Sequence, residues 1–414
     1  MTGRPAGDLT PRGRVVAFLA LLGLGLALRL PLLPQPGIAG DLDDFATWAG
    51  AIATQGLGTG YDRPLSFPPV LPWIWAALGS IVPTIAAATD ASDPIVRVAL
   101  KLPASLADLG IAAGIGYALR ARPRVALAAV AATVLHPATA YLSAWWGQFE
   151  SLYVLPVVVA YVLAVRGRTS AASVAMAVAL MTKPQALPLL VPFVAWVVGR
   201  TGWRGSVRPG IAGALTIVAL WAPFLAAGGP ARYLESLRAY SEIFGVISLR
   251  AWNPWWVIQS AIGGPGLISD ANPIVGPLSF RLIGVAAALL LGALIAVRVA
   301  RRPTPESLAW GLVAATLAAV CALTTMHERY AYPALVLLPL LWPDRRAFGL
   351  WAVLSVAFTL NLVAAAPPGG PPGSLIPIDG SLGLAGSLAL TGSLIVALVG
   401  LRTASLGRGA TSGP

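Results

Sequence analysis

Long apolar runs dominate the chain and set its architecture. Stretches of ~17–25 residues, each long enough to cross the ~30 Å hydrocarbon core as a helix, occupy 15–33, 95–119, 124–142, 149–165, 209–227, 279–299, 307–326, 347–366 and 382–401. Apolar residues fill these runs continuously instead of following an amphipathic stripe, which excludes a soluble bundle. Three stretches fit less simply: the irregular 171–199 and 331–342, and the apolar 69–88.

Composition agrees: 57% of the 414 residues are hydrophobic and 11% charged, with a mean hydropathy of +0.78. The expected fold class is an all-α polytopic membrane protein. The single cysteine, Cys321, lies inside an apolar run, so no internal disulfide forms. Arg4, Arg12 and Arg14 precede the first run, which ends without a small-x-small cleavage site, so it reads as a retained first span.

Charge then orients the spans. The connectors RARPR (120–124), RGR (166–168), RTGWRGSVR (200–208), RVARR (298–302) and DRR (344–346), with both termini, hold 18 of the 28 Lys and Arg residues. Only three acids, Asp8, Glu306 and Asp344, share that side. The positive-inside bias places all of these segments in the cytoplasm. The formal net charge of +12 is therefore topology, not a nucleic-acid footprint.

Parity completes the reading. With 166–168 and 200–208 both inside, 171–199 crosses out and back as two helices of ~14 residues, about 21 Å each and short of the hydrocarbon thickness. Its turn, MTKPQ (181–185), then lies below the outer surface with Lys183 at the tip. A single tilted, Pro-kinked helix is the alternative and would invert every later loop. Segment 331–342 is also short, so HERY (327–330) starts below the outer surface too. The stretch 69–88 lies along the outer interface, where Trp73 and Trp75 suit an aromatic belt. The expectation is about twelve crossings in one domain over 15–401, with outer loops at 34–94 and 228–278. APPGGPPG (366–373) is an outer linker, residues 1–14 a cytoplasmic N-terminus, and 402–414 a disordered cytoplasmic tail.

The unusual polar residues all fall on the outer side. GDLDDFATWAG (40–50) carries Asp41, Asp43 and Asp44; WWGQFE (145–150) carries Trp146, Gln148 and Glu150; Lys183 and His327-Glu328-Arg329 tip the two short segments. An acidic triplet after a first helix also serves as an orientation signal, Lys183 could snorkel to headgroups, and WWGQFE resembles an aromatic-belt turn. His136 before a proline reads as structural. Asp108 and Lys101 share a helix face and read equally as a structural pair or a proton-handling site, while Arg29 would counter the aspartates or meet a lipid headgroup. Intramembrane ions are costly unless paired or used, which keeps the His-Glu-Arg triplet a candidate site. No metalloprotease, Walker or dinucleotide motif is present. A carboxylate beside cations in an outward-facing membrane cavity suits sugar transfer from a polyprenyl-phosphate lipid. The carboxylate takes the acceptor proton and the cations stabilise the departing phosphate.

GDLDDFATWA, YDRPLSFPPVLPW (61–73), KLPASLADL (101–109), HPATAYLSAWWGQFESLY (136–153), MTKPQALPLL (181–190) and MHERYAYPAL (326–335) resemble, in order, bacterial membrane glycosyltransferases of the GT-C superfamily. These are related to the mannosyltransferases of GPI-anchor assembly and more distantly to the dolichyl-phosphate-glucose-dependent glucosyltransferases. The resemblance covers roughly residues 15–345. It implies a GT-C helical bundle with interfacial helices in the first outer loop, in the bacterial cytoplasmic membrane, with the active site extracytoplasmic. It also implies inverting transfer of a hexose, mannose foremost, to a glycan, glycolipid or protein acceptor. Asp41, seven residues before Trp48, matches the general base, with Asp44 the second candidate. Lys183, His327 and Arg329 match cationic positions that hold the lipid phosphate, with Trp146, Gln148 and Glu150 beside them. Glu150 departs from the usual Asp and His136 from the usual Asn. The superfamily works with and without a divalent metal, for which Asp43 and Asp44 are the ligand candidates; no other cofactor is implied. The competing function is a transporter or lipid flippase, disfavoured by polar groups gathered at one face and by the lack of a sequence repeat. A non-catalytic envelope scaffold leaves Asp41, Lys183 and the His-Glu-Arg triplet unexplained.

Overall fold

The computed structural model describes residues 10–262, 266–368 and 376–406. Seventeen helices follow in order: α1 Pro11–Arg29, α2 Ala39–Gln55, α3 Val70–Ile81, α4 Pro83–Ala86, α5 Pro94–Ala118, α6 Pro123–Val134, α7 Pro137–Ala140, α8 Glu150–Val165 and α9 Thr169–Leu180. After them come α10 Leu187–Trp221, α11 Gly229–Ile243, α12 Pro254–Ile262, α13 Phe280–Arg301, α14 Pro305–Ala322, α15 Tyr332–Leu337, α16 Arg345–Ala365 and α17 Gly380–Leu406. The described sheet is one antiparallel pair, β1 Pro273–Val275 with β2 Leu278–Ser279, just before α13. The protein is an all-α membrane protein.

Local sequence explains many of the boundaries. Proline opens α5, α6, α7 and α14, where its missing N–H belongs to the unpaired first turn. Asp93 and Asp344 accept the first-turn amides of α5 and α16, so two of the sixteen acids are helix caps. Thr304 and Ser307 cap α14 reciprocally. His136 Nδ1 accepts the Ala138 amide at the break between α6 and α7, the structural role expected of it.

Seven helical runs among the described residues are long and apolar enough to cross a membrane, and an eighth joins them if α6 and the Pro137–Trp146 segment, bent by 45°, form one span. Helix α14 is buried almost all round at the centre of the largest core. The outer helices turn large apolar side chains outward: Leu289 and Leu290 on α13, Leu215 on α10 and Val16 on α1 are more than half exposed. Only lipid solvates such a surface favourably.

The irregular region 171–199 resolves into a hairpin. Helix α9, a turn over 181–186 and the first part of α10 pack together, with Lys183 at the tip. Gly202 breaks α10 with a positive φ of 72°, so the 187–221 run is two helices meeting at a kink. The 69–88 stretch divides into the 12-residue α3 and the single turn α4. Helix α3 packs against α2 around Trp75 and Phe45.

Three details differ from the sequence expectation. GDLDD is not a loop: it forms the first turn of α2, where carboxylates complement the positive end of the helix dipole. Residues 228–278, read from the sequence as a loop, hold α11, α12 and β1. Residues 402–406, expected in a disordered tail, continue α17. Residues 1–9 of the N-terminal segment, 369–373 of the Pro/Gly linker and 407–414 of the tail lie outside the described residues.

Candidate functional site

Helix α2 meets the turn between α7 and α8. Asp41 Oδ2 accepts two hydrogen bonds, from Trp146 Nε1 at 2.9 Å and Gln148 Nε2 at 2.6 Å. Both donors come from one unusual piece of backbone. Tyr141–Trp146 forms a single π-helical segment, which ends at Gly147 with φ 92°. Leu142 O then receives the amides of both Gly147 and Gln148. Such π-turns recur at functional sites because they re-aim side chains. Glycine is required at 147, since a Cβ there would stand 2.8 Å from Leu42 Cδ2 and 3.1 Å from Lys101 Cγ.

Lys101, fully buried on α5, ties the two segments together. Its ammonium donates to Gln35 O, in the loop entering α2, and to Trp145 O, beside the donors to Asp41. It therefore does not pair with Asp108 as the shared helix face suggested. Asp108 binds Arg29 instead, with Arg29 Nη2 3.0 Å from Asp108 Oδ2, and accepts from Ser143 Oγ at 2.6 Å and from the Tyr332 hydroxyl. Arg29 also donates to Gly25 O, Val134 O and Thr139 Oγ1. It neither counters the aspartate triplet nor reaches a headgroup. The network joins α1, α5, the π-segment and α15, and its satisfied donors make it a structural lock.

The three aspartates separate by function. Asp43 Oδ1 accepts the Ala91 amide at 2.9 Å and anchors the loop before α5. Asp41 and Asp44 line a cavity of about 670 Å³. Asp44 is exposed, and its carboxyl is raised above the usual carboxylate range by partial burial and by the charges of Asp41 and Asp43.

The cations arrive from the two short hairpins. Lys183 is 3% exposed and forms an ion pair with Glu150, in the first turn of α8. Arg329 reaches the same Glu150 oxygen at 3.5 Å and Glu328 Oε1 at 2.9 Å. Its guanidinium lies 5.3 Å from the Trp146 ring centroid and 5.6 Å from that of Tyr330. Trp146 thus touches Asp41 with its edge and Arg329 with its face. His327 Nδ1 is 3.3 Å from Arg329 Nη1.

Asp41, Asp44, Trp146, Gln148, Lys183, His327 and Arg329 all line this one cavity. Glu150 does not: it is fully buried behind Lys183 and Arg329, where it positions them. Sequence reasoning gave no site role to Tyr330, which lines the cavity and accepts from Gln185 Nε2 at 2.9 Å, or to Arg250, which lines it too. Backbone between α11 and α12 pairs with the HERY segment, Leu249 N donating to Met326 O at 2.9 Å. Arg250 and Thr325, the non-glycine residues with positive φ among those described, flank this junction and line the cavity. No sequence pattern marks such backbone strain in advance.

Among the described residues no group of three or more His, Cys, Asp or Glu side chains is placed to hold a metal ion. Asp43, one of the two ligand candidates, is committed to a loop amide. The donor set does not fit a metal centre.

Fold and site together define a polytopic helical membrane protein with a polar, aromatic-lined cavity of carboxylates and cations. No protein-family model and no curated protein sequence matches the chain.

Proposed function

We propose that the chain is an inverting glycosyltransferase that moves a hexose, mannose foremost, from a polyprenyl-phosphate donor to an acceptor hydroxyl on the extracytoplasmic face of the cytoplasmic membrane. One observation carries the reading: Asp41 and the Lys183–Arg329 pair, 142 or more residues apart in sequence, line one cavity and share Trp146 as a common wall.

In this reading the acceptor oxygen attacks the anomeric carbon from the face opposite the phosphate. The new carbon–oxygen bond forms as the carbon–phosphate-oxygen bond breaks, which inverts the centre. Asp41, held by Trp146 and Gln148, takes the acceptor proton. Lys183 and Arg329 receive the charge growing on the departing polyprenyl phosphate in a poorly hydrated pocket. Glu150 keeps both cations in place. No step uses a metal.

The proposed topology has twelve crossings and cytoplasmic termini. The seven long runs, the bent pair, the second half of α10 split at Gly202, α8, α9 and the short Tyr332–Leu341 segment add up to that number. Basic connectors and site-bearing junctions alternate along the chain: 120–124 and 166–168 against Trp146–Glu150 and Lys183. That alternation supports opposite sides for them.

The test is to incubate the purified chain with radiolabelled mannosyl- and glucosyl-phosphate polyprenols and a membrane extract, then resolve the products. Labelled product that disappears in Asp41→Asn, with the variant still monodisperse, is expected. Equal product from wild type and Asp41→Asn would end this assignment of the base.

A further inference from the structure

The cavity has two chemically unlike walls. The cationic wall, at Lys183, Arg329 and Tyr330, opens into a dry cleft of about 230 Å³ beside Leu187, Ala319 and Leu323; cavity and cleft share Pro184, Gln185, Met326 and Tyr330. The other wall comes from the two outer loops. Asp44 and Trp48 are one helical turn apart on α2 and both face the cavity, with Phe67 and Tyr240 beside them. Ser66 lines it as well, and Tyr240 lies within electrostatic reach of Asp44. The Trp48 ring is braced by Phe67, edge-on with centroids 6.0 Å apart, and by Phe45 and Trp75, also at 6.0 Å.

We propose that this second wall is the acceptor subsite and that it takes a carbohydrate, a neutral pyranose whose hydroxyls donate to Asp44 and whose C–H face stacks on Trp48. The inference rests on the glycosyltransferase reading and deepens it by naming the acceptor class. Three observations select a pyranose. Asp44 stands in the negative field of Asp41 and Asp43, which repels a phosphate or carboxylate. A braced, half-buried indole beside a carboxylate offers an apolar plate and a hydrogen-bond acceptor side by side, matching the two faces of a sugar ring. The dry cleft leads from the other wall, so a lipid tail entering there leaves this wall free. Asp41 stands one turn before Asp44, where it meets the hydroxyl of the bound ring that attacks.

The experiment pairs a binding readout with a kinetic one on the full-length chain in detergent. Saturation-transfer NMR uses methyl α-mannopyranoside, methyl β-glucopyranoside, an ethanolamine and a Ser/Thr peptide as probes. Saturation of the hexoside ring protons is expected, lost in Trp48→Ala and weakened in Asp44→Asn, and unchanged in Lys183→Ala. In transfer assays Trp48→Ala raises the acceptor KM about 10-fold, the effect of one lost contact of ~1.4 kcal/mol, while the donor KM stays put. Should Trp48→Ala fail to fold, Asp44→Asn carries the same split. Saturation of only the amine or the peptide, or equal rises in both KM values, overturns the subsite. Hexoside binding without transfer from any polyprenyl donor sinks the glycosyltransferase reading and leaves the subsite standing. Asp41-dependent transfer that ignores Trp48 and Asp44 does the reverse.

Discussion

Glu150→Gln separates a carboxylate that binds substrate from one that braces the groups that do. The amide keeps the size and one acceptor oxygen but removes the charge between Lys183 and Arg329. At the 3.5 Å separation from Arg329, the pairwise attraction is about 5 kcal/mol at an effective dielectric constant of ~20. Desolvation offsets part of that, and breaking a buried pair by removing one partner costs about 3–5 kcal/mol. Arg329 keeps Glu328 at 2.9 Å, whereas Lys183 loses its carboxylate partner, so the lower end is expected. The assay is the thermal midpoint of the monodisperse fraction by size-exclusion chromatography, at one fixed heating rate. It is run with and without farnesyl phosphate, a short polyprenyl phosphate. Ligand at ~100 times its Kd stabilises by about 2.7 kcal/mol. In Glu150→Gln the phosphate replaces the missing negative charge, so its Kd falls about 10-fold or more and the ligand raises the midpoint further than in wild type. Equal ligand shifts in the two proteins would refute the placement of phosphate at Lys183 and Arg329, and a variant as stable as wild type would refute the brace.

Three other outcomes follow from the geometry. Gly147→Ala should fold but lose about 100-fold in turnover, measured at saturating donor, because a Cβ 2.8 Å from Leu42 shifts both donors to Asp41 and a ~1 Å misplacement has that effect. Asp108→Leu should lower stability by about 3–5 kcal/mol by stranding Arg29, and Arg29→Met/Asp108→Leu should recover most of it; a double variant no better than the single one would show that the ion pair is not the source. In the proposed topology 69–88 lies along the outer interface, so Gly60→Cys and Asp90→Cys should label from the same side of the membrane with an impermeant maleimide; opposite sides would make 69–88 a span.

Much of this protein was legible in its sequence because membrane insertion is a one-dimensional problem. A lipid-solvated backbone must be helical, and span length follows from bilayer thickness, so the runs and the short hairpin at Lys183 could be read from composition and length. The same arithmetic gathered Asp41, Trp146, Gln148, Lys183, His327 and Arg329 toward one face. It could not assign their partners. Helix-face geometry suggested Asp108 with Lys101, but Arg29 approaches from another helix and Lys101 turns to two carbonyls instead. Glu150 looked like a site residue and is a buried brace; Asp43 sat between two cavity residues and holds a loop amide. These outcomes depend on which helices meet and at what rotation, and contacts between residues dozens of positions apart leave no local trace. The sequence by itself determined a helical membrane protein and the cast of its polar residues. Only tertiary packing decided which of the three aspartates meets Trp146 and Gln148, because a hydrogen bond tests distance and angle across elements, and no periodicity encodes either.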